Sequence, residues 1–281
     1  MLRVILAATD DSEEGRAAIV AAARLAERSG AKVVVLTVAE PTDESARNGR
    51  LLAGLRESVE RILRTHELAP RIEYAIELGL PGIEITRAAE ARRADLIVVG
   101  RKRRTSVQRL MVGDTADSVA RRSPIPCLFV SSQDCRFDRV LVGLDGTERG
   151  TSVLPRAVEF ANQAGSRLRF VTVEPVMEPE LGAVWDHAPR SRRLADTLEV
   201  FCNPNGGGGP VLESLPGDSG PALAIHRGRV VDEILKEIRH SQADVLAVGC
   251  HRGGPAGTLE AGSISRRLMH TCHCAVLTVP L

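Results

Sequence analysis

The 281 residues suffice for one large α/β domain or for two of about 140 residues, each able to bury its own core without disulfide or metal staples. Thirty-seven Lys and Arg against thirty-six Asp and Glu leave a formal net charge of +1, so no global field selects nucleic acid, an anionic membrane or acidic substrates. One Trp, one Tyr and five Phe are too few for base-stacking platforms, and no run of about 18 apolar residues is present to span a membrane. In chain order, residues 3–9 form an apolar run of strand length that ends on Asp10 and Asp11. Residues 13–29 carry Ala17, Ile19, Ala22, Ala23 and Ala26 at helical spacing, and residues 32–38 are continuously apolar again. Leu52, Leu55, Val59, Ile62 and Leu63, at three- and four-residue steps, predict a helix over 45–66. A strand over 71–76, a helix over 83–93 and strands at 96–99 and 126–130 follow in the same way. Short Val/Ile/Leu runs alternating with helices describe a parallel sheet covered on both faces, which takes its ligands beyond the carboxyl ends of its strands.

The chain then starts again. Val4 to Asp10 returns as Arg139 to Asp145, 135 residues on, as do Gly30 in Gly165 and Thr37-Val38 in Thr172-Val173. Ala94 to Gly100 matches Ala243 to Gly249 at 149 residues, with Gly79 and Gly113 answered by Gly228 and Gly262. The growth in offset puts a 14-residue insertion between Val173 and Gly228. Its expected place is the Gly/Pro-rich stretch 203–221, read as an exposed loop without a regular element. The four consecutive glycines there lack the Lys-Ser/Thr pair and the strand-to-helix context of a phosphate loop. The expected architecture is two tandem doubly wound, Rossmann-like domains, 1–134 and 135–281, each a five-stranded parallel sheet. The short polar join 131–138 sets them face to face as an intramolecular pseudo-dimer. The edge runs Cys127 to Val130 and Val276 to Val279 are suited either to joining the halves or to joining two chains in a homodimer.

Asp10 and Asp145 follow the first strand of each copy, where a carboxylate either meets a ligand or caps the next helix. Gly100 and Gly249 end the fourth strand; Arg103 and Arg252 lie three residues on, and Gly113 and Gly262 thirteen. Asp114-Thr115 and Ser263-Ile264 then open a helical stretch. A strand, a Gly-bearing loop and a helix N-terminus make an anion site, because free N–H groups and the helix dipole face the ligand.

On these residues each half resembles the universal stress protein family, nearly end to end. Nucleotide-binding members of that family carry G-x2-G-x9-G-[ST] after the fourth strand; this chain has Gly100-x2-Arg103-x9-Gly113-Asp114 and Gly249-x2-Arg252-x9-Gly262-Ser263. Asp10-Asp11-Ser12 and Asp145-Gly146-Thr147 match the family's first-strand Asp and small polar pair. The resemblance implies that Asp145 meets a ribose, that the backbone of Val173 meets adenine, and that Gly249, Gly262, Ser263 and Ile264 hold the phosphates. It gives Asp10, Val38, Gly100, Gly113 and Thr115 the same roles in a more degenerate first half. Two departures stand out. Arg replaces the second motif glycine in both halves, where it either obstructs the phosphates or sets a guanidinium on them, and Asp114 replaces the hydroxyl residue. The run Arg101-Lys102-Arg103-Arg104 offers compensating charge.

The resemblance therefore implies a cytoplasmic stress-response protein that binds an adenine nucleotide, ATP with accompanying Mg2+, and changes its contacts with a protein partner. The alternative is a scaffold of the same family that has lost the nucleotide. Slow ATP hydrolysis ranks lower, since no Walker lysine, metal-carboxylate pair or positioned base can be named. The six Cys read as cytosolic thiols. Cys250-His251 and His270-Thr271-Cys272-His273-Cys274 suggest a thiol or soft-metal sensor if both reach one sheet edge, but they lack the paired Cys-x2-Cys of most zinc sites.

Overall fold

Val4–Ala8 forms β1, and its side chains alternate between two covered faces, so that Ile5 and Ala7 enter one core while Leu6 and Ala8 enter another. The computed structural model describes residues 1–43, 49–102, 115–174, 194, 197–198, 211–212, 223–251 and 263–281. Helix α1 (Glu13–Ser29) begins at the N-cap Ser12 and ends at Gly30, whose φ of 74° is the left-handed turn that glycine adopts without strain. Its buried alanines, among them Ala17, Ala18, Ala21 and Ala22, let it lie close on the sheet. There follow β2 (Lys32–Ala39), α2 (Arg50–Thr65), β3 (Arg71–Leu78), α3 (Pro81–Ala91), β4 (Leu96–Gly100), α4 (Thr115–Arg122) and β5 (Cys127–Val130).

The second copy contributes β6 (Arg139–Leu144), α5 (Glu148–Thr151), α6 (Val153–Ala164), β7 (Arg167–Glu174), β8 (Val211–Leu212), β9 (Leu223–Arg227), α7 (Val230–Ser241), β10 (Val245–Cys250), α8 (Ser263–Thr271) and β11 (Ala275–Pro280). Strand β8 corrects the reading of 203–221 as devoid of regular structure. Val211 and Leu212 pair with Arg167 and Leu168 at the free edge of β7, below the stretch that β9 occupies.

Among the described residues, the two five-stranded sheets expected from the repeat are fused into one of eleven strands, six of them from the second half. Its order is β3-β2-β1-β4-β5-β11-β10-β6-β7, with β8 and β9 both on the far side of β7. Among the described residues every pairing is parallel except that of β5 with β11, where the halves meet. The edge runs singled out in the sequence are thus used within the chain. Leu128 lies opposite Leu277, flanked by Cys127 opposite Thr278 and Phe129 opposite Val276. Leu128 and Leu277 are equivalent residues at the 149-residue offset, so the pseudo-twofold axis runs between them.

On one face a single core passes through both halves under α1, α2 and α6 and takes in Leu194 and Leu198. On the other face α3 and α4 cover the first half, and α7 and α8 the second. The join is less polar than its composition suggests: Cys135 and Phe137 are buried, and the Phe137 ring packs edge-on against Phe160 with centroids 6.0 Å apart. Arg24 and Arg28 of α1 donate to the carbonyls of Cys135 and Ala164 at 2.6 and 2.5 Å.

Candidate functional site

Both halves leave their first strand through the same turn. In the second, Asp145 Oδ1 accepts from the backbone N–H of Thr147 at 2.9 Å and from its hydroxyl at 2.7 Å. In the first, Asp10 Oδ1 accepts from the N–H of Ser12 at 3.1 Å and also from its hydroxyl. The middle residue is left-handed in each, Gly146 at φ 74° and Asp11 at φ 61°. Capping the helix falls to the hydroxyl residue and not to the Asp, since Thr147 accepts from the Gly150 N–H at 2.9 Å and Ser12 from that of Gly15 at 3.1 Å. Each Asp is exposed, and its Oδ2 has no hydrogen-bond partner among the described residues.

The neighbouring strands bring three of the sequence-predicted positions together in each half. Leu144 pairs with Thr172 and Val142 with Ala247, which sets Asp145 level with Val173 and close to Gly249 across β10-β6-β7. The register of β4-β1-β2 does the same for Gly100, Asp10 and Val38. Adjacent strands are about 4.8 Å apart, so the three strand ends span about 10 Å, the width of a nucleoside. The chain runs from β1 to β2 on one side and finds β4 on the other, which makes each cluster a topological switch point. Val38 and Val173 are half-buried, one residue before the ends of their strands.

Thr115 opens α4 and is half-buried; Ser263 and Ile264 open α8, with Ile264 44% exposed. The remaining motif residues, Arg103, Gly113, Asp114, Arg252 and Gly262, lie outside the described residues.

The sequence reading overlooked Gly15 and Gly150, which stand 135 residues apart like the turns they support. A Cβ on Gly150 would lie 1.9 Å from Asp145 Oδ1, and one on Gly15 would lie 2.8 Å from Asp10 Oδ1. Bare backbone at the first turn of the helix is therefore what lets the carboxylate fold against it. A Cβ on Gly100 would lie 2.3 Å from the Glu14 carbonyl, so β4 also ends in close backbone approach to α1. The two turns differ electrostatically. Asp11, where the second half has Gly146, takes hydrogen bonds from Arg16 Nε at 3.1 Å and Ser58 Oγ at 2.7 Å. The Arg16 hydrogen bond above all holds the Asp11 carboxyl below its ordinary range, so an Asp11–Arg16 ion pair stands beside Asp10.

Arg101 does not serve as compensating charge at a phosphate. It is 1% exposed and reaches across the junction, where Nη2 donates to the carbonyls of Cys272 at 2.9 Å and Cys274 at 2.7 Å. The thiol and imidazole groups do not gather at one sheet edge either. Strands β10 and β11 are parallel, Cys250 ends the first and Cys274 precedes the second, so the two motifs stand at opposite ends of the sheet. His270 Nε2 is 2.9 Å from Asp117 Oδ1, and no group of three His, Cys, Asp or Glu among the described residues converges to hold a metal ion. Nor is any described helix long and apolar enough to cross a membrane.

The model of the universal stress protein family matches residues 1–131 and again 136–280. A universal stress protein of Mycolicibacterium smegmatis is 26% identical over 98% of this chain and 96% of its own length. A solved universal stress protein structure from Archaeoglobus fulgidus has a TM-score of 0.69 at 18% identity, covering 99% of this chain and 98% of that one. Another, from Pseudomonas aeruginosa, gives 0.67 at 19% identity over 99% and 93%. These two show the fold. Matched twice along its length by the family model, the chain belongs to the universal stress protein family as a tandem of two copies.

Proposed function

We propose that the chain binds an adenine nucleotide, ATP accompanied by Mg2+, as a regulatory ligand chiefly in its second half, and that occupancy changes its contacts with a protein partner in the cytoplasm. The observation that carries this reading is the state of Asp145: one carboxylate oxygen is committed to Thr147 while the other stays exposed, level with Val173 and beside Gly249. A carboxylate held this way is a rigid acceptor for a ribose diol, at little cost in side-chain entropy on binding. The end of β7 at Val173 offers backbone groups to the adenine edge. The start of α8 at Ser263 offers free N–H groups and the positive end of a helix dipole to phosphates. Binding without turnover is consistent with the sequence, which carries no Walker lysine.

The first half favours the scaffold reading for itself alone. Asp11 puts an ion pair with Arg16 where the second half has a bare glycine, and Arg101, from the basic run after β4, is buried at the junction. Titration of ATP by calorimetry tests the division. Asp145→Ala is expected to weaken binding by tenfold or more, about 1.4 kcal/mol, and Asp10→Ala to change it little. Equal losses from the two variants would contradict the assignment to the second half, and absence of binding in the unaltered protein would favour the scaffold throughout. In that case Arg252→Gly is the informative variant, because gained binding would identify Arg252 as the obstruction.

A further inference from the structure

A cavity of about 670 Å3 opens beside the seam on the α6 face of the sheet, within the size range of ligand sites. Its walls include Arg156, Glu159 and Phe160 of α6, Leu277 and Val279 of β11, and Asp95 at the entry to β4. No described candidate residue of the nucleotide sites lines it. We propose that this cavity binds an extended peptide segment of a partner protein, along the path that the join 131–138 takes through the equivalent groove of the first half. Of the functional reading only the protein partner is needed here, not the nucleotide.

The repeat supplies the template for the occupant. Glu159 and Phe160 answer to Arg24 and Leu25 at the 135-residue offset, and Leu277 and Val279 to Leu128 and Val130 at 149. In the first half the join leaves β5 at Val130, passes the starts of β11 and β10 and enters β6. On the way the Cys135 carbonyl accepts from Arg24 at 2.6 Å, and the Cys135 and Phe137 side chains are buried. The path ends with the N–H groups of Asp138 and Arg139 on Asp244 Oδ2, at 3.1 and 3.0 Å. The second half keeps that ending, since the N–H groups of Arg3 and Val4 donate to Asp95 Oδ2 at 2.8 and 3.0 Å, and Asp95 is the counterpart of Asp244. Between β11 and this ending lies the cavity, where the first half has its join.

The lining suits a polypeptide better than a small ion. Arg3 and Arg156 are balanced by Asp95 and Glu159, so neither an anion nor a cation is favoured by charge alone. Arg156 Nη1 donates to Glu159 Oε2 at 2.9 Å, which sets a donor and an acceptor side by side, as the carbonyl and N–H groups of a passing chain require. Glu159 also meets the Met1 amino group, in an exposed contact. Because Glu159 stands where the first half has Arg24, the second groove offers an acceptor at the point where the join finds a donor. Phe160, Leu277 and Val279 are buried and form an apolar floor for one small side chain, the part that Cys135 plays in the first half. Leu277 also faces Leu128 across the seam, so a peptide bound here continues the junction between the halves.

Fluorescence anisotropy of a labelled peptide with the join's own sequence, Ser131 to Phe137, titrated with the whole protein in the absence of nucleotide, tests the proposal. Saturable binding is expected. Ser152→Trp, which puts a large side chain at the cavity wall, and Arg156→Glu, which removes the donor, are each expected to weaken it by about tenfold or more. Glu159→Arg restores the donor of the first half and is expected to tighten it. These three positions are exposed or half-buried, so the variants leave the core intact. Hydrogen exchange is expected to slow at 94–96 and 156–160 when the peptide binds. No binding at about 1 mM peptide, by the unaltered protein or by Glu159→Arg, would overturn the proposal. So would binding indifferent to Ser152→Trp, or exchange slowed under α1 instead, where the peptide would have displaced the join. A dimer seen in sedimentation and abolished by Ser152→Trp would give the cavity to a second copy of the chain, which also overturns it. None of these readings involves ATP, so their failure would leave the nucleotide reading standing.

Discussion

Gly150 lacks a side chain where Asp145 needs the room, and this one contact states the local requirement of the candidate site. Gly150→Ala would force Oδ1 away from a Cβ only 1.9 Å off, although Ala stabilises a helix over Gly by about 1 kcal/mol. The expected outcome is a protein at least as helical as before whose ATP affinity has fallen by about tenfold, read by calorimetry beside far-UV circular dichroism. Unchanged affinity would mean that the Asp145 turn is not part of the site. Asp145 was legible in the sequence because it recurs at the end of a recurring strand. Gly15 and Gly150 recur as faithfully, but a glycine inside a helical pattern says nothing of what approaches it. Arg101 was misread for a related reason: its acceptors lie 171 and 173 residues away, and only the pairing of β5 with β11 brings them near.

Among the elements, α4 and α8 meet across the pseudo-twofold axis. Asp117 and Arg266 are equivalent residues at the 149-residue offset, and they bond to one another with Arg266 Nη2 2.7 Å from Asp117 Oδ2. In a symmetric pair of identical halves this position would meet its own copy, and like charges would face each other. Duplication within one chain allowed acid to meet base. Burial opposes ionisation of Asp117, but the hydrogen bonds and charges of His270 and Arg266 outweigh it and hold the carboxyl at about 2, against its usual 3.8. A depressed acid contributes its stability above the unfolded-state value and loses it as pH falls through the folded one. The window is thus pH 4 to 2, and the contribution about 2 kcal/mol. Asp117→Asn is expected to melt below the unaltered protein at pH 6, with the gap closing as pH falls towards 2. A gap independent of pH would show that the loss is one of packing alone. At this scale periodicity located the helices and strands of the first half to within a few residues. It missed β8, because a two-residue strand inside a Gly/Pro-rich stretch has no period to detect. It also did not anticipate that the counterpart of α1 divides at Ser152 into α5 and α6.

For the whole molecule, the repeat carried the fold class and the resemblance carried the family, while the union of two sheets into one needed coordinates. The antiparallel seam puts the two candidate sites at opposite ends of the eleven-stranded sheet, because the strands of one half run against those of the other. The junction residues Arg101, Asp117 and Leu128 each find a partner in the opposite copy. Its two candidate sites are proposed to be unequal, with Asp145 beside Gly146 and Asp10 beside an Asp11 that is paired with Arg16. The most direct test of that inequality is denaturing extraction of freshly purified protein, with mass analysis and a count of the nucleotide released per chain. About one ATP per chain, removed by Asp145→Ala and kept by Asp10→Ala, is the predicted result. Protein that emerges empty and does not take up added ATP would contradict the account.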